Sequence, residues 1–410
     1  MITSQQATSI VLENLLALSS ERIPSEEATN RVLREPVRAD RDFPPFHRVT
    51  MDGVAFALHT LPNSQTLTVA GVQHAGEPPQ RCPPRQCLEV MTGAVLPLGT
   101  DTVVRYEDVE FGEVNEKRTA TLRVVPDQPG QSVHPRGSDR RQGDVLLRPG
   151  TLLGAPDIAV AASVGKTHLP VSRLPSVGII STGDELVSLD KVPLPHQIRQ
   201  SNGYALQAAL LSLGVPATRY HLSDEQEAVY AGVAQTLDRH DLLLISGGVS
   251  RGKRDYVPDA LAAAGVIERF HRVQQRPGKP LWFGHRPPDK KVVFGLPGNP
   301  VSTLVGFYRY VKPWLLASLS QTPSFPLRAS LSEPVEFPPE LTYFLTVRVH
   351  VADDGRLIAT PRPGNGSGDF TNLVNCQGFV ELPAERSRFA AGEAFPLYLF
   401  RDSETCMIKT

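Results

Sequence analysis

Three short loops rich in glycine and acidic residues contain the residue types that can bind a charged ligand. They span residues 181–185, 246–255 and 295–302. Their glycines allow backbone N–H groups to turn towards an anion such as phosphate. The carboxylates of Asp184, Glu185 and Asp255 would repel a phosphate alone but would hold one together with Mg²⁺. The loops therefore predict a site for a phosphate-bearing ligand and a divalent cation.

Each loop also has a simpler interpretation, an ordinary turn in which an acidic side chain caps the backbone. All three loops, however, follow predicted strands of one α/β region. Ligands of open α/β sheets bind beyond the carboxyl ends of the strands. Three such loops at one edge of a sheet therefore favour a ligand site over three unrelated turns.

The second loop also matches two catalytic motifs, and both matches are incomplete. Residues 247–253 fit GxxxxGK, but a phosphate-binding P-loop needs Ser or Thr next and this chain has Arg254. Residues 248–252 fit GxSxG, the pattern of a hydrolase nucleophile, here Ser250. Such a nucleophile leads directly into a helix, whereas the next helix is predicted to start at Asp255. We therefore predict that Ser250 contacts a ligand, and a serine hydrolase is an alternative.

Alternating strands and helices between residues 173 and 320 predict the sheet that positions the loops. Strands are expected at 176–181, 242–245 and 292–294, and helices at 204–213 and 301–316. Asp224 is the expected N-cap of a further helix, and Ser201 and Asn202 are candidate N-caps of the helix at 204. Because the strands are apolar throughout, both of their faces must be covered. This is typical of a parallel, doubly wound α/β sheet.

The remaining segments predict a multidomain α/β chain with two β-rich parts. At 410 residues, the chain is expected to contain roughly two to four domains. The predicted domains are a discontinuous helical and extended domain (1–40 and 135–172), an inserted β domain (41–134), the α/β domain (173–320) and a C-terminal β domain (325–405). Apolar spacing from Ile10 to Leu18 predicts one amphipathic helix over residues 1–23.

Composition and charge exclude several classes of protein. Lys and Arg number 42 and Asp and Glu number 43, so the net charge of −1 argues against a bulk binder of nucleic acids or membrane surfaces. No apolar run approaches the ~20 residues that span a bilayer, and residues 1–23 lack the features of a secretory signal. The four cysteines, at positions 82, 87, 376 and 406, predict neither a disulfide framework nor a zinc site. We expect a cytoplasmic protein with no nucleic-acid or membrane partner.

Together with further short motifs, the three loops resemble the molybdopterin molybdenumtransferase family, the MoeA-type proteins whose eukaryotic relatives include the gephyrin E domain. The motifs are PPF (44–46), MDGVA (51–55), MTGA (91–94), RGSD (136–139), STGDEL (181–186), QI and SN (197–198 and 201–202), SGGVSRGKRD (246–255), PGKP (277–280), LPGNPVS (296–302) and GSG (366–368). Any one of them is weak evidence. All of them occur in the family's order along almost the whole chain, which makes the resemblance highly specific.

The resemblance implies a fold, a reaction and partners. Members of the family are four-domain homodimers. Their active site lies between the molybdopterin-binding domain, here 173–320, and β regions that come partly from the other subunit. They take adenylylated molybdopterin and molybdate as substrates, release AMP and leave molybdenum on the dithiolene sulfurs, with Mg²⁺ as the required cation. The expected function is therefore molybdenum cofactor biosynthesis, with substrate handed over by a molybdopterin adenylyltransferase.

The resemblance also assigns roles to the acidic residues and loops. Asp255 and Glu185 are expected to be catalytic and to bind Mg²⁺, because carboxylates are its preferred ligands. Asp184 is expected as a further metal ligand and Asp224 as a further catalytic residue. The substrate-binding residues of the loops are expected to be Ser181, Thr182, Gly183, Gly247, Gly248, Ser250, Gly252, Pro297 and Pro300.

Molybdate is a dianion, so its binding site needs fixed positive charge and hydroxyl donors. The expected residues are Arg276, Lys279, Ser302, Arg348 and Ser367. The assignment of Arg348 depends on a single arginine in a predicted strand.

Three residues of the β-rich region match positions that family members need for activity, namely Asp52, Thr92 and Asp139. They are therefore expected to be catalytic. Asp52 and Asp139 have a second interpretation as turn residues that cap their own backbone.

Several positions depart from the family pattern. Val54 replaces Tyr, residues 47–50 (HRVT) replace DNSA, and Ser138 stands where Glu is usual. Lys253 and Arg254 replace a neutral or acidic pair, which fits stronger anion binding or pairing with acids of a partner subunit. A paralogue with a changed substrate, such as tungstate, and a non-catalytic molybdopterin-binding scaffold are alternatives.

Overall fold

The structure, a computed structural model, describes residues 1–249, 255–323 and 326–401. The chain divides into two compact units. The first comprises residues 1–34, 149–155 and 168 onwards, and the second comprises residues 35–148 and 156–167. The finer division into four domains stays a prediction. Within the described residues, no helix combines the length and the apolar character that crossing a membrane requires.

A six-stranded sheet forms the central part of the first unit. From edge to edge, its strands are Ala217–Leu222, Val177–Thr182, Leu242–Ser246, Lys291–Leu296, Trp282–Arg286 and Ile267–His271. The first four run parallel, and the last two are antiparallel to their neighbours. The predicted parallel α/β sheet is confirmed, with the three predicted strands and a fourth parallel strand, Ala217–Leu222, that was not predicted. The two antiparallel strands were not predicted either, and both contain polar or charged residues (IERFH and WFGHR).

Apolar clusters cover both faces of this sheet, as its uninterrupted apolar strands predict. Ile179, Leu244 and Phe294 belong to one cluster, whereas their neighbours Ile180 and Leu243 belong to the other. Successive side chains of a strand point to opposite faces, which explains this division. All five are fully buried, and each contributes about 1.5–3 kcal/mol relative to an exposed position.

Helices pack on the sheet and connect its strands. They are Asn202–Leu211, Gln226–Arg239, Val257–Ala263, Pro300–Gly306 and Lys312–Ser318, with a π-helical turn at Phe307–Val311. The helix predicted at 301–316 is present but contains the π turn. The helix predicted at 204–213 begins two residues earlier, and the helix predicted from Asp255 begins two residues later.

The N-terminal segment is only partly helical. Its elements are helix Ser4–Leu12, the 3₁₀ turn Ser25–Glu27, and strand Ser20–Pro24, which pairs antiparallel with His168–Ser172. The predicted helix over residues 1–23 is therefore wrong beyond Leu12. Leu16 and Leu18 are buried while Leu15 is 40% exposed, which is the alternation of an extended chain.

A second sheet forms the C-terminal part of the first unit. Its strands, in order, are Gln275–Arg276, Thr342–Val351, Leu357–Pro361, Arg328–Leu331, Ala394–Leu399 and Gly378–Leu382. Because Gly378–Leu382 also pairs with Thr342–Val351, five strands close into a ring that encloses an apolar cluster. The additional elements are strands Val335–Glu336 and Arg388–Phe389, which pair with each other, and the 3₁₀ helix Phe370–Asn375.

The second unit contains a six-stranded sheet of short strands. Their order is Thr102–Arg105, Gly53–Phe56, Gln86–Val90, Thr66–Gln73, Lys117–Leu122 and Val109–Val114. Shorter pairs join Val37–Arg38 to Val145–Leu147 and Arg48–Val49 to Val133–His134. The remaining elements are the 3₁₀ turns Leu58–Thr60 and Tyr106–Asp108 and the helix Ala155–Ser163. The predicted β-rich character of this region is confirmed.

A buried ion pair joins three parts of the first unit. Arg309, in the π turn, donates to both carboxylate oxygens of Glu381 at 2.9 and 3.2 Å. The guanidinium also donates to Thr8 Oγ1 at 2.8 Å, and Tyr398 donates to Glu381 at 2.9 Å. The two charged side chains are only 10% and 16% exposed. The π turn therefore orients the cation that links the N-terminal helix to the C-terminal sheet.

The variant Glu381→Ala tests this link, because it leaves the Arg309 cation buried without its carboxylate. We expect the free energy of unfolding to fall by about 3–5 kcal/mol. The matched control is Glu336→Ala, in the exposed pair between Glu336 and Arg388 at 3.2 Å. That control should cost at most about 1 kcal/mol in urea unfolding. Equal losses in the two variants would contradict the proposed importance of the buried pair.

Candidate functional site

The three glycine-rich loops lie at the carboxyl ends of parallel strands and line one cavity of about 1160 Å³. The predicted site residues that line it are Ser181, Thr182, Gly183, Glu185, Asp224, Gly247, Gly248, Asp255, Pro297 and Pro300. Ser250 and Gly252 lie outside the described residues. A short pair of strands, Leu186–Val187 and Ile198–Arg199, contributes to another wall of the same cavity.

Glycine is required where the first two loops approach each other. Gly247 has φ +98°, and a Cβ atom there would lie 2.8 Å from Thr182 Oγ1. Gly248 has φ +67°, and its Cβ would lie 2.7 Å from a methyl carbon of Val257, the first residue of the following helix. Both the backbone conformation and the lack of space therefore exclude larger residues.

Two aspartates tie the first loop to the segment before the next helix. The Asp184 backbone N–H donates to the Asp224 carboxylate at 3.3 Å, and the Asp224 N–H donates to the Asp184 carboxylate at 3.1 Å. The predicted N-cap role of Asp224 is wrong, because Glu225 is the N-cap and Asp224 bonds the first loop instead. Asp184 is not among the residues that line the cavity, whereas Asp224 is.

Two asparagines connect the loops over long sequence distances, and sequence analysis missed both roles. The Asn202 amide donates to Ser246 Oγ at 2.9 Å and to the Gly298 carbonyl at 2.7 Å. The Asn299 amide donates to Ser367 Oγ at 2.8 Å. Asn202 was predicted as an N-cap candidate, but the N-cap position is Ser201, without a side-chain capping bond. The motifs SN (201–202) and LPGNPVS (296–302) contain these two asparagines but do not indicate which residues their amides bond.

The carboxylates of the cavity fit a metal ion that is completed by a ligand. Glu185, Asp224 and Asp255 line the same cavity, at the loops that end parallel strands. Among the described residues, no group of three or more His, Cys, Asp and Glu side chains could hold a metal ion by itself. Mg²⁺ is usually bound by one or two carboxylates together with substrate phosphates, so this partial set of ligands fits it.

A second cavity of about 710 Å³ adjoins the first, and both are lined by Pro280, Pro297, Asn299 and Gly368. Four of the predicted molybdate residues line it, namely Arg276, Lys279, Ser302 and Ser367. No Asp or Glu of the described residues lines this second cavity. The described charged residues of the first cavity are three carboxylates and one cation, Arg199, whereas those of the second are the cations Arg276 and Lys279, so the two cavities differ in charge.

The structure does not place Arg348 at this cavity. Thr346 lines it, and Arg348 lies two residues further along the same strand, where its side chain is exposed. Residues i and i+2 of a strand share a face but are about 7 Å apart. Arg348 therefore lies on the same face of the strand as Thr346 but does not line the cavity.

Buried Gln275 supports the turn that carries the two cations, and sequence analysis missed it. Its amide donates to the Gly278 carbonyl at 3.0 Å, and its carbonyl accepts from the Tyr310 hydroxyl. Tyr310 belongs to the π turn described above. The turn between Arg276 and Lys279 is therefore fixed from beneath by a buried amide.

The remaining predicted catalytic residues belong to the second unit. Asp52 accepts from the Thr92 backbone N–H at 2.6 Å and from its hydroxyl at 2.7 Å. The N–H and then the hydroxyl hold the pKa of Asp52 below its usual value. Asp139 contacts His134 at 2.8 Å and Ser138 at 3.4 Å. Asp52 thus bonds a distant segment rather than capping its own turn.

The variant Gly247→Ala tests the close approach of the loops. An alanine in a left-handed backbone conformation costs about 1–2 kcal/mol. Gly247→Ala should lower the free energy of unfolding by more than this, because its Cβ would also meet Thr182. Gly355→Ala is the matched control, since Gly355 has φ +83° and a Cβ added there would meet no atom within 4 Å. Equal losses in urea unfolding would show that contact with Thr182 does not matter.

The variant Thr92→Val tests the cause of the low Asp52 pKa. It removes the hydroxyl but keeps the N–H, so the Asp52 pKa should rise part of the way towards 3.8, as measured by carboxyl-carbon NMR. A lowered folded-state pKa stabilises the fold above about pH 3.8, and this stabilisation is lost as the pH falls through the folded-state value. Thr92→Ser should keep the wild-type pKa. An unchanged pKa in Thr92→Val would contradict the assignment.

Comparisons with known proteins give consistent matches along the chain. Residues 2–165 match the MoeA N-terminal region (domains I and II), residues 178–317 match a probable molybdopterin-binding domain, and residues 328–400 match the MoeA C-terminal region (domain IV).

Individual relatives match over nearly their full length. The molybdopterin molybdenumtransferase of Synechocystis sp. is 38% identical, with 97% of this chain and 100% of the relative covered. The one from Haemophilus influenzae is 32% identical, with 98% and 99% covered. The solved structure of the molybdopterin biosynthesis MoeA protein from Pyrococcus horikoshii is 30% identical with a TM-score of 0.82, covering 98% of this chain and 100% of that one. The chain therefore belongs to the molybdopterin molybdenumtransferase family, transferases of molybdenum cofactor biosynthesis.

Proposed function

We propose that this protein inserts molybdenum from molybdate into adenylylated molybdopterin and releases AMP in a Mg²⁺-dependent reaction. The observation that supports this most is the opposite charge of two adjoining cavities. Three carboxylates (Glu185, Asp224 and Asp255) outnumber one cation, Arg199, in the first, and Arg276 and Lys279 line the second. A substrate with a diphosphate and an oxyanion needs both environments side by side.

The acidic cavity is the proposed site of the diphosphate. Gly247 and Gly248 line this cavity and would offer backbone N–H groups to phosphate oxygens, and Glu185, Asp224 and Asp255 would supply the metal ligands. When bound there, Mg²⁺ would neutralise the phosphate charge and stabilise the charge that develops on the departing AMP. Without a cation between them, three carboxylates beside a diphosphate would oppose its binding.

The basic cavity is the proposed site of molybdate. Lys279 and Arg276 provide fixed positive charge, and the hydroxyls of Ser302 and Ser367 can donate to oxyanion oxygens. Ser367 is already oriented by Asn299, which lines both cavities. The molybdate oxygens would therefore lie next to the part of the substrate that is held by the acidic cavity.

Other features of the proposal depend on family resemblance. We propose a cytoplasmic homodimer in which Asp52, Thr92 and Asp139 of one subunit serve the active site of the other. An adenylyltransferase of the same pathway would supply the substrate. Tungstate in place of molybdate is the alternative substrate, which an assay of AMP release with each oxyanion distinguishes. These features stay predictions.

Two variants should separate the roles of the two cavities in an assay of AMP release at varied molybdate and Mg²⁺. Lys279→Met should raise the KM for molybdate roughly tenfold, because it removes one charge-assisted contact. Asp255→Asn should instead raise the Mg²⁺ concentration needed for half-maximal rate. Lys290→Met and Asp259→Asn are matched controls, since neither residue lines either cavity.

AMP release that does not depend on molybdate would contradict the proposed transfer. If tungstate alone supports AMP release, tungstate replaces molybdate as the proposed substrate. Binding of the adenylylated pterin without any AMP release would favour the non-catalytic scaffold. Equal effects of the two variants on molybdate and Mg²⁺ would contradict the division of roles.

A further inference from the structure

Two positions that depart from the family pattern converge on one carboxylate in the second unit. Arg48 belongs to the altered segment 47–50, and Ser138 replaces the usual Glu. The short strands Arg48–Val49 and Val133–His134 pair antiparallel, with His134 opposite Arg48. Arg48 contacts the ring of His134, and both His134 and Ser138 contact Asp139.

The contacts define the tautomer of the His134 ring. Arg48 Nη2 lies 3.1 Å from His134 Nδ1, and a guanidinium can only donate a hydrogen bond. His134 Nδ1 must therefore be the unprotonated acceptor, and the ring hydrogen is on Nε2. That Nε2–H points at Asp139 Oδ1, 2.8 Å away. A cation, a neutral imidazole and a carboxylate thus form one hydrogen-bonded chain.

We propose that Arg48 and His134 are positioning residues that orient Asp139 for the transferase reaction. The inference rests on the proposed function, in which Asp139 is catalytic. The described contacts of His134 and Ser138 are both made with Oδ1 of Asp139. These contacts leave Oδ2 of Asp139 to face a ligand. Arg48 acts only through His134, because its contact selects the tautomer that can donate to Asp139.

The same strand also supports the second candidate carboxylate of this unit. Val49, next to Arg48, accepts from the Gly93 N–H at 2.9 Å and donates to the Ala94 carbonyl at 3.0 Å. These bonds hold the segment that begins with Thr92, the residue that bonds Asp52. The altered segment 47–50 therefore lies between the two carboxylates and is connected to both.

A double-mutant cycle measures whether His134 acts through Asp139. His134→Leu should lower the kcat of AMP release roughly tenfold or more, with the KM for molybdate changed less than twofold. His134→Gln should restore most of the rate, because its amide can donate to Asp139 and its carbonyl can accept from Arg48. In the Asp139→Asn background, His134→Leu should cause little further loss. Additive losses, or no rescue by Gln, would overturn the proposal.

Nitrogen-15 NMR of the histidine ring tests the hydrogen-bonded chain without any assay of activity. In the wild type, His134 should be in the Nε2–H tautomer alone, whereas Arg48→Met should populate both tautomers. Arg38→Met is the matched control, since Arg38 donates only to the Gly143 carbonyl among its described contacts, and it should leave the tautomer unchanged. An Nδ1–H tautomer in the wild type would overturn the proposal. Absence of AMP release in the wild type would instead overturn the proposed function and leave this NMR test intact.

Discussion

The close contact between Thr182 and Gly247 is the constraint on which the candidate site depends. Neighbouring parallel strands end at the same edge, so their loops must pass each other in the space of one strand separation. A Cβ at residue 247 would lie 2.8 Å from Thr182 Oγ1, which leaves no room for a side chain. On the other side of the first loop, Asp184 exchanges backbone hydrogen bonds with Asp224, which follows the neighbouring strand Ala217–Leu222. The fold thus places Glu185, Asp224 and Asp255 around one cavity.

Charge then divides the site into two chemically distinct parts. The acidic cavity belongs to the edge of the α/β sheet, and the basic cavity lies where that sheet meets the C-terminal sheet within the same unit. Asn299 joins them through its bond to Ser367, and Gln275 supports the turn that carries Arg276 and Lys279. The buried Arg309–Glu381 pair connects the π turn, which also carries Tyr310, to the C-terminal sheet. Packing and electrostatics therefore determine the same arrangement, a cavity rich in carboxylates beside a cavity lined by cations.

Much of this arrangement follows from local sequence, and the remainder does not. Apolar strands followed by glycine-rich loops predicted the sheet and the edge at which the loops meet. Local pattern misassigned Asp224, because its carboxylate bonds the Asp184 backbone 40 residues away and does not cap its own helix. It also misassigned Arg348, since alternation specifies the face of a strand and not how far a cavity extends along it. The roles of Asn202 and Gln275 depend on partners that only the folded chain brings close.

The most direct test of this account is to locate molybdenum in crystals grown with molybdate, by anomalous diffraction at the molybdenum absorption edge. The account predicts a peak in the cavity lined by Lys279, Arg276 and Ser302, within hydrogen-bonding distance of at least one of these side chains. It predicts no peak among Glu185, Asp224 and Asp255. A peak in the acidic cavity, or none in the basic one at saturating molybdate, would contradict the division of charge on which the proposed function depends.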